Sequence, residues 1–451
     1  MNRKGLRLDQ APPLHLPLRF FLTAPLFGVG AGLLLAWKGA ELLLTPWSFP
    51  TLALVHLITL GFLTMVMMGA LYQITPVLVG TPVPGTGLVW LVHLGLVCGL
   101  AALTLWLLTG APFLNWLAVA GLLSAFLTFL GQMALALRRA PTWNATVFSI
   151  ALAVTALALA ISLGLVFLGE FAALWQLPAR RPLATAHVYL ALGGWVGTLI
   201  TGVGYAVIPM FYLSGKFPAH LTWLVMAFQL LLPISGSLVA FLAPSPVWHL
   251  IPLLIAASAT GVFTFAVVRA LRGRKRRIID STLRYWQTGI ACAPLSLASL
   301  AVFTFHPEFR WLMAFGVLFL LGFAMSILSG MLYKIVAFLV WLHRFSKMAG
   351  KMDVPLLRDI IPHRPTALQW WTHLLMLGLL VVAALTGHDG LARAGGLALV
   401  VSCGALFLIL LRAARFNRPT TSTESTGITA TNSSGAATAE PQPPSQGSTE
   451  A

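Results

Sequence analysis

Apolar and polar positions divide this chain into long blocks. Twelve apolar runs are separated by short polar loops. Most runs have roughly the 20 residues that a membrane-spanning helix needs, so each run predicts a transmembrane helix. The pattern therefore predicts an all-α, polytopic membrane protein. The predicted helices lie at about 18–37, 50–75, 87–109, 114–137, 145–168, 184–211, 221–243, 247–269, 284–305, 311–341, 368–386 and 391–413.

The second, sixth and tenth runs resemble one another. Each has a glycine three residues before a tyrosine, and a Gly-Phe or Gly-Trp pair further upstream. The tyrosines are Tyr72, Tyr205 and Tyr333, about 130 residues apart, and a fixed period of this kind indicates internal repeats. Because that period equals four helices, we predict three pseudo-repeated four-helix arcs, at about 18–137, 145–269 and 284–413.

The amino-acid composition indicates the environment in which this protein folds. The chain is 58% hydrophobic and only 9% charged, with a mean hydropathy of +0.89, whereas soluble domains carry roughly 25% charged residues. The lipid bilayer is therefore its predicted environment. Three cysteines lie inside apolar runs, where we interpret them as small packing residues.

The formal net charge of +17 invites a nucleic-acid function, but the placement of the charges argues against one. If the N-terminus is inside, 23 of the 28 Lys and Arg residues fall on the inner side, in agreement with the positive-inside rule. We predict no nucleic-acid partner, and a bacterial inner (cytoplasmic) membrane protein with both termini cytoplasmic. The basic residues that fall outside are Lys38, Arg180, Arg181, Arg310 and Arg393.

The two ends of the chain differ from the apolar middle. Residues 1–17 are basic and then proline-rich, without the apolar core of a cleaved signal peptide, and predict a cytoplasmic tail. Residues 18–415 form the predicted membrane domain. Residues 416–451 are rich in Ser, Thr, Pro and Gly, and predict a disordered cytoplasmic tail.

Ionisable residues inside apolar runs are the candidates for chemistry. Acidic residues are nearly absent from these runs, since Glu41, Glu170, Glu308 and Asp389 all lie in outer loops or at helix ends, so a relay of buried carboxylates is not predicted. His56 and His187 lie at nearly the same depth in two repeats, sixteen and eighteen residues before the aligned tyrosines. Imidazole binds haem iron and copper, so this pair is our candidate cofactor site. The alternative is close helix packing around a hydrogen-bonded histidine.

Histidines near the outer ends of other helices could complete a metal site. His249 begins the eighth predicted helix, and His306 precedes the tenth. We consider His187, His249 and His306 as candidate metal ligands. The alternative for His249 and His306 is that they are solvated residues of the membrane interface.

These features resemble subunit I of the haem-copper oxidase superfamily. The stretches that carry the resemblance are HLITLGFLTMVMMGALYQITPVLVG, AHVYLALGGWVGTLITGVGYAVIPMF and GMLYKIVAFLVWLHRF, and the NnrS-type haem-copper membrane proteins are a neighbouring group. The resemblance implies that His56 matches a haem ligand and His187 a copper ligand. It further implies haem b and copper as cofactors, a respiratory-chain or cytochrome partner, and a role in membrane redox or nitric oxide metabolism.

The chain also departs from that family. The seventh helix lacks the family's pair of copper histidines, and the apolar core of the tenth lacks its His-x-His haem ligands. Ala191 stands where the oxidases have a tyrosine, and the family's HPE motif appears at His306-Pro307-Glu308 in a loop. A standard dioxygen-reducing centre is therefore not predicted.

Three functional interpretations stay open at this point. The first is an oxidase-like protein with one haem or copper site formed by His56 and His187. The second is a cofactor-free bundle that serves as an assembly factor, partner subunit or small-molecule permease. The third is a nitric oxide reductase that uses His249 and His306 as unusual ligands. Catalytic residues are not assigned, and the choice between an oxidoreductase and an accessory protein is open.

Overall fold

A computed structural model describes residues 12–242, 245–275, 279–351 and 353–417. These residues form twelve long apolar helices and contain no β-strand, which confirms the predicted fold class. The helices are α1 (His15–Leu43), α2 (Phe49–Leu78), α3 (Thr86–Thr109), α4 (Pro112–Arg138), α5 (Ala145–Phe171), α6 (Arg180–Tyr212), α7 (Ala219–Leu242), α8 (Val247–Arg272), α9 (Ser281–Phe305), α10 (Phe309–Arg344), α11 (His363–Thr386) and α12 (Asp389–Ala414).

Helix boundaries follow from polar caps and glycines in the loops. Ser48, Asn144 and Asp280 precede α2, α5 and α9, and their side chains accept hydrogen bonds from the free backbone N–H groups of the first turn. Gly110 and Gly387 end α3 and α11 in the left-handed conformation, which glycine adopts without strain. Helix α1 begins at His15, inside the predicted N-terminal tail. The rest of that tail up to residue 11, and residues 418–451, lie outside the described residues.

Helices α2, α6 and α10 occupy the centre of the bundle. Between 67% and 72% of their most apolar windows is buried, against 50% or less for the other nine helices. The outer helices pack in chain order around them, and α1 packs against α12. Arg393 and Asp389 of α12 stabilise that contact, because their side chains form hydrogen bonds with backbone groups at the end of α1.

The aligned glycines explain why the three central helices resemble one another. Each of them presents glycine to the helix that precedes it in the chain. A Cβ added to Gly194 of α6 would lie 2.5 Å from the Cβ of Ala156 on α5, and one on Gly330 of α10 would lie 2.5 Å from the Cβ of Tyr285 on α9. Only glycine lets the helix backbones approach this closely. The other close approaches are those of Gly61 to Phe27, Gly69 to Phe20, Gly202 to Ser149 and Gly322 to Cys292.

Each central helix also contains a stretch of wider, π-helical turns. These stretches are Leu57–Thr64, Tyr189–Gly197 and Val317–Met325. All three include the Gly-Phe or Gly-Trp pair of the repeat. Wide turns of this kind occur often at functional sites, since they displace side chains from regular helical positions.

Buried glutamines bond to two of the aligned tyrosines. The Tyr72 hydroxyl donates to Gln132 Oε1 at 2.6 Å, and the Tyr333 hydroxyl donates to Gln369 Oε1 at 2.7 Å. Tyr285 on α9 donates to the same oxygen of Gln369. Polar side chains therefore connect α9, α10 and α11 in the apolar interior.

Replacing Gln369 by leucine is expected to destabilise the protein, because two buried tyrosine hydroxyls lose their acceptor. Each orphaned group costs about 1–3 kcal/mol. The midpoint of thermal unfolding in detergent should fall clearly. The control combines Gln369→Leu with Tyr285→Phe and Tyr333→Phe, which removes the donors as well. That triple variant should regain most of the lost stability, and equal stability of Gln369→Leu and wild type would contradict the account.

Candidate functional site

The two candidate ligands His56 and His187 meet in the structure. His56 lies on α2 and His187 on α6, and their ring centres are 6.5 Å apart with an angle of 29° between the ring planes. Both side chains line the same cavity. The sequence placed them at a common depth, and the packing of α2 beside α6 brings them together.

Backbone carbonyls fix the orientation of both rings. The Nδ1–H of His56 donates to the Leu52 carbonyl at 2.7 Å, and that of His187 donates to the Ala160 carbonyl of α5 at 2.9 Å. A carbonyl oxygen only accepts hydrogen bonds, so Nδ1 holds the proton and Nε2 keeps its lone pair. None of the described residues forms a hydrogen bond with either Nε2. Ligand histidines in proteins are commonly held in this way.

The π-helical turns begin beside these histidines. In α2 the wide turns start at Leu57, directly after His56. In α6 they start at Tyr189, two residues after His187. Both histidines therefore lie in regular α-helix, and the irregular backbone of α2 and α6 begins within two residues after them.

The cavity has a volume of about 1020 Å³. Its walls are mainly apolar side chains of α2, α3, α5 and α6, and Phe309 of α10 also contributes. Trp195 and Thr64 line it deeper in the membrane, where the indole Nε1–H donates to the threonine hydroxyl at 3.0 Å. Beside His187, Gly164 leaves room, since a Cβ there would only just touch the ring, at 3.6 Å.

Among the described residues that line the cavity, charged side chains lie only at its mouth, at the exposed start of α6. Arg180 and Arg181, at the start of α6, are its charged lining residues. Arg180 donates two hydrogen bonds to Glu170, at 2.7 and 3.1 Å, and the same carboxylate accepts the Leu177 N–H. The Glu170 side chain is only 5% exposed, so this ion pair secures the loop between α5 and α6.

The geometry suits one metal ion between the two imidazoles. A metal lies about 2.0 Å from an imidazole nitrogen, so two rings on opposite sides of one ion have centres about 6 Å apart. The observed distance between the ring centres, 6.5 Å, is close to that value. The volume and apolar walls suit an organic macrocycle, since pockets for ligands of drug size span about 300–1,000 Å³. The residues present therefore fit a haem.

The remaining histidines lie elsewhere. His249 ends a short turn before the main part of α8, and His306 follows α9; neither lines the cavity. Among the described residues, no three His, Cys, Asp or Glu side chains are grouped closely enough to hold a metal. The assignment of His249 and His306 as metal ligands stays a prediction. Inside the bundle, His93 bonds to Thr23 and His373 to Ser326.

Comparison with known proteins identifies the architecture. No family model matches the sequence, and no curated protein matches it. A solved chain of a haem-copper terminal oxidase dimer, studied by cryo-EM, matches with a TM-score of 0.63, over 89% of this chain and 85% of that chain. This chain has the haem-copper oxidase fold. The sequence identity is 13%, so what the two chains share is the fold.

The oxidase fold confirms the resemblance that the sequence suggested at the level of architecture. The architecture is that of a multi-pass membrane protein, with twelve apolar helices in the described part of the chain. The sequence did not point to Trp195, Thr64 or the two arginines as residues around the site. One signal for the arginines was present, because Arg180 and Arg181 are basic residues on the predicted outer side.

Proposed function

We propose that this protein is a membrane redox protein in which His56 and His187 hold one haem b between α2 and α6. The observation that carries the proposal is the geometry of the two rings. Both have Nδ1 occupied by a backbone carbonyl, both turn into one cavity, and their centres are 6.5 Å apart. Neutral imidazoles with a free Nε2 are suitable axial ligands for haem iron.

Haem fits this cavity better than copper alone. A single copper ion occupies a small volume and commonly takes three or more protein ligands. The cavity measures about 1020 Å³, and the described residues offer two grouped histidines there rather than three candidate ligands. Copper therefore belongs to the proposal only as a second metal, with His249 and His306 as the residues to test.

The residues of the protein would hold the haem, orient the two imidazoles and shield the site from water. The carbonyls of Leu52 and Ala160 fix the imidazole tautomers and make Nε2 a stronger donor to a metal. The apolar walls lower the local dielectric and exclude water. A haem held in this way supplies one-electron transfer. We therefore propose an electron-carrying role in respiratory or nitric oxide related metabolism of a bacterial cytoplasmic membrane, with a cytochrome or respiratory subunit as partner.

Carbon monoxide tests whether both axial positions are held by the protein. Purified protein should contain one haem b per chain, and carbon monoxide should leave its reduced spectrum unchanged because no position is open. His187→Gly should create an open position, so that the haem which this variant still holds gains a carbon monoxide adduct. A wild-type spectrum that shifts fully with carbon monoxide would contradict coordination by two histidines. A preparation without haem or copper would favour the cofactor-free assembly factor, partner subunit or permease.

A further inference from the structure

Charges at one face of the bundle are almost fully paired. We call the side opposite the start of α1 and the end of α12 the distal face; it contains the loops that follow α1, α3, α5, α7, α9 and α11. Each of its four acidic side chains within the described residues forms an ion pair with a neighbouring base. The pairs are Lys38–Glu41 at 3.5 Å, Arg180–Glu170 at 2.7 Å, Arg310–Glu308 at 2.8 Å and Arg393–Asp389 at 2.6 Å.

Arg181 is the exception at this face. Within the described part of the chain it forms no ion pair and no hydrogen bond through its side chain. It nevertheless lines the cavity that contains His56 and His187. Since the four pairs cancel their own charges, Arg181 gives the mouth of the cavity its net positive charge.

Arg180 is not equivalent to its neighbour. Its guanidinium is held by two hydrogen bonds to the buried Glu170 carboxylate, and it lies over the Phe171 ring at 5.9 Å. Those contacts use the guanidinium edge that an anionic ligand would need. Arg180 therefore acts as a positioning residue for the loop before α6, and Arg181 is the cation that remains available.

The position of Arg181 relative to the histidines is fixed by the helix. It precedes His187 by six residues on α6, which corresponds to about 9 Å along the helix axis. An anion bound at Arg181 thus lies towards the distal face, and the histidines lie deeper in the membrane. A ligand that satisfies both must be apolar in its body and anionic at one edge.

We propose that Arg181 binds the carboxylate edge of the ligand in this cavity, so that the site selects an anionic porphyrin over a neutral one. The inference rests on the proposed function, because it concerns the occupant that His56 and His187 would hold. Haem b has this chemistry, since both of its carboxylates stand on one edge of an apolar macrocycle. Arg181 is exposed at the start of α6, and an arginine–carboxylate pair there adds charge-assisted hydrogen bonds.

The test is a binding titration of haem-depleted, detergent-purified protein. Haem b and its dimethyl ester, which lacks the two negative charges, are each added while the absorption spectrum is recorded. The wild-type protein should bind the diester roughly tenfold more weakly than haem b, because an ester cannot form the charge-assisted hydrogen bonds that a carboxylate forms with an arginine. Arg181→Gln should weaken haem b binding by a similar factor and leave diester binding unchanged.

Two control variants separate this effect from general changes of charge or folding. Arg181→Lys keeps the positive charge and should retain most of the preference for haem b. Arg310→Gln removes one positive charge from the same face at a residue that does not line the cavity, and it should behave as wild type. The comparison of the two porphyrins on wild-type protein needs no variant, so it holds even if Arg181→Gln folds poorly.

The outcomes distinguish the two proposals. Equal binding of haem b and its diester by the wild-type protein would overturn the role of Arg181 and leave coordination by two histidines intact. Failure of the wild-type protein to bind either porphyrin would overturn both. A second readout is the midpoint potential, which should fall in Arg181→Gln because a nearby positive charge stabilises the reduced, more electron-rich form.

Discussion

Replacing His56 or His187 by alanine is expected to remove haem from the purified protein. Each imidazole would hold the haem iron in the proposed site, and each is oriented by its own backbone carbonyl. The remaining histidine alone would hold a five-coordinate haem weakly. We expect each single variant to lose most of its haem, and the double variant to lose all of it, as measured by haem extraction and absorption of the same sample.

The controls for this prediction are other histidines of the chain. His249→Ala and His306→Ala change residues that do not line the cavity, so both should keep the full haem content. A loss of copper in either variant would support the prediction that they are metal ligands. Retention of full haem by both His56→Ala and His187→Ala would rule out the proposed coordination.

Adding one methyl group to Gly330 is expected to destabilise the protein clearly. The new Cβ would lie 2.5 Å from the Cβ of Tyr285, which is attached to the α9 backbone and cannot avoid it by rotating. The two helices must separate, and overpacking of this kind costs about 1–3 kcal/mol. The thermal unfolding midpoint of Gly330→Ala should fall clearly below that of the wild-type protein.

Gly316 provides a matched control in the same helix. A Cβ added there has open space around it, and alanine favours the helical conformation by roughly 0.5–1 kcal/mol over glycine. Gly316→Ala should therefore unfold at the wild-type temperature or slightly above it. Equal destabilisation by the two substitutions would show that steric contact between α9 and α10 is not the cause.

The sequence predicted most of the architecture because the bilayer imposes it. A spanning segment must satisfy its backbone hydrogen bonds internally, so long apolar runs become helices. The aligned glycines were also recognisable in the sequence, because glycine recurs at the tightest helix contacts of each repeat. The π-helical turns could not be predicted from the sequence, because they depend on how neighbouring helices pack against the backbone.

The candidate site was only partly predictable. His56 and His187 were recognisable because an imidazole is rare in an apolar run, and because both recur at one depth. The carbonyls of Leu52 and Ala160 could not be recognised as hydrogen-bond acceptors for these histidines. Every residue has a carbonyl group, and only the packing of the helices determines which one accepts. The different roles of Arg180 and Arg181 depend on the buried Glu170, whose side chain could be located only in the folded chain.

The central claim is that His56 and His187 hold a haem, and a redox difference spectrum tests it most directly. Detergent-purified protein is oxidised in air and then reduced with dithionite, and haem and copper are quantified in the same sample. The account predicts the sharp α and Soret bands of a six-coordinate haem b, at one haem per chain. A flat difference spectrum in a sample without haem would contradict it, and would leave an oxidase fold that works without this cofactor.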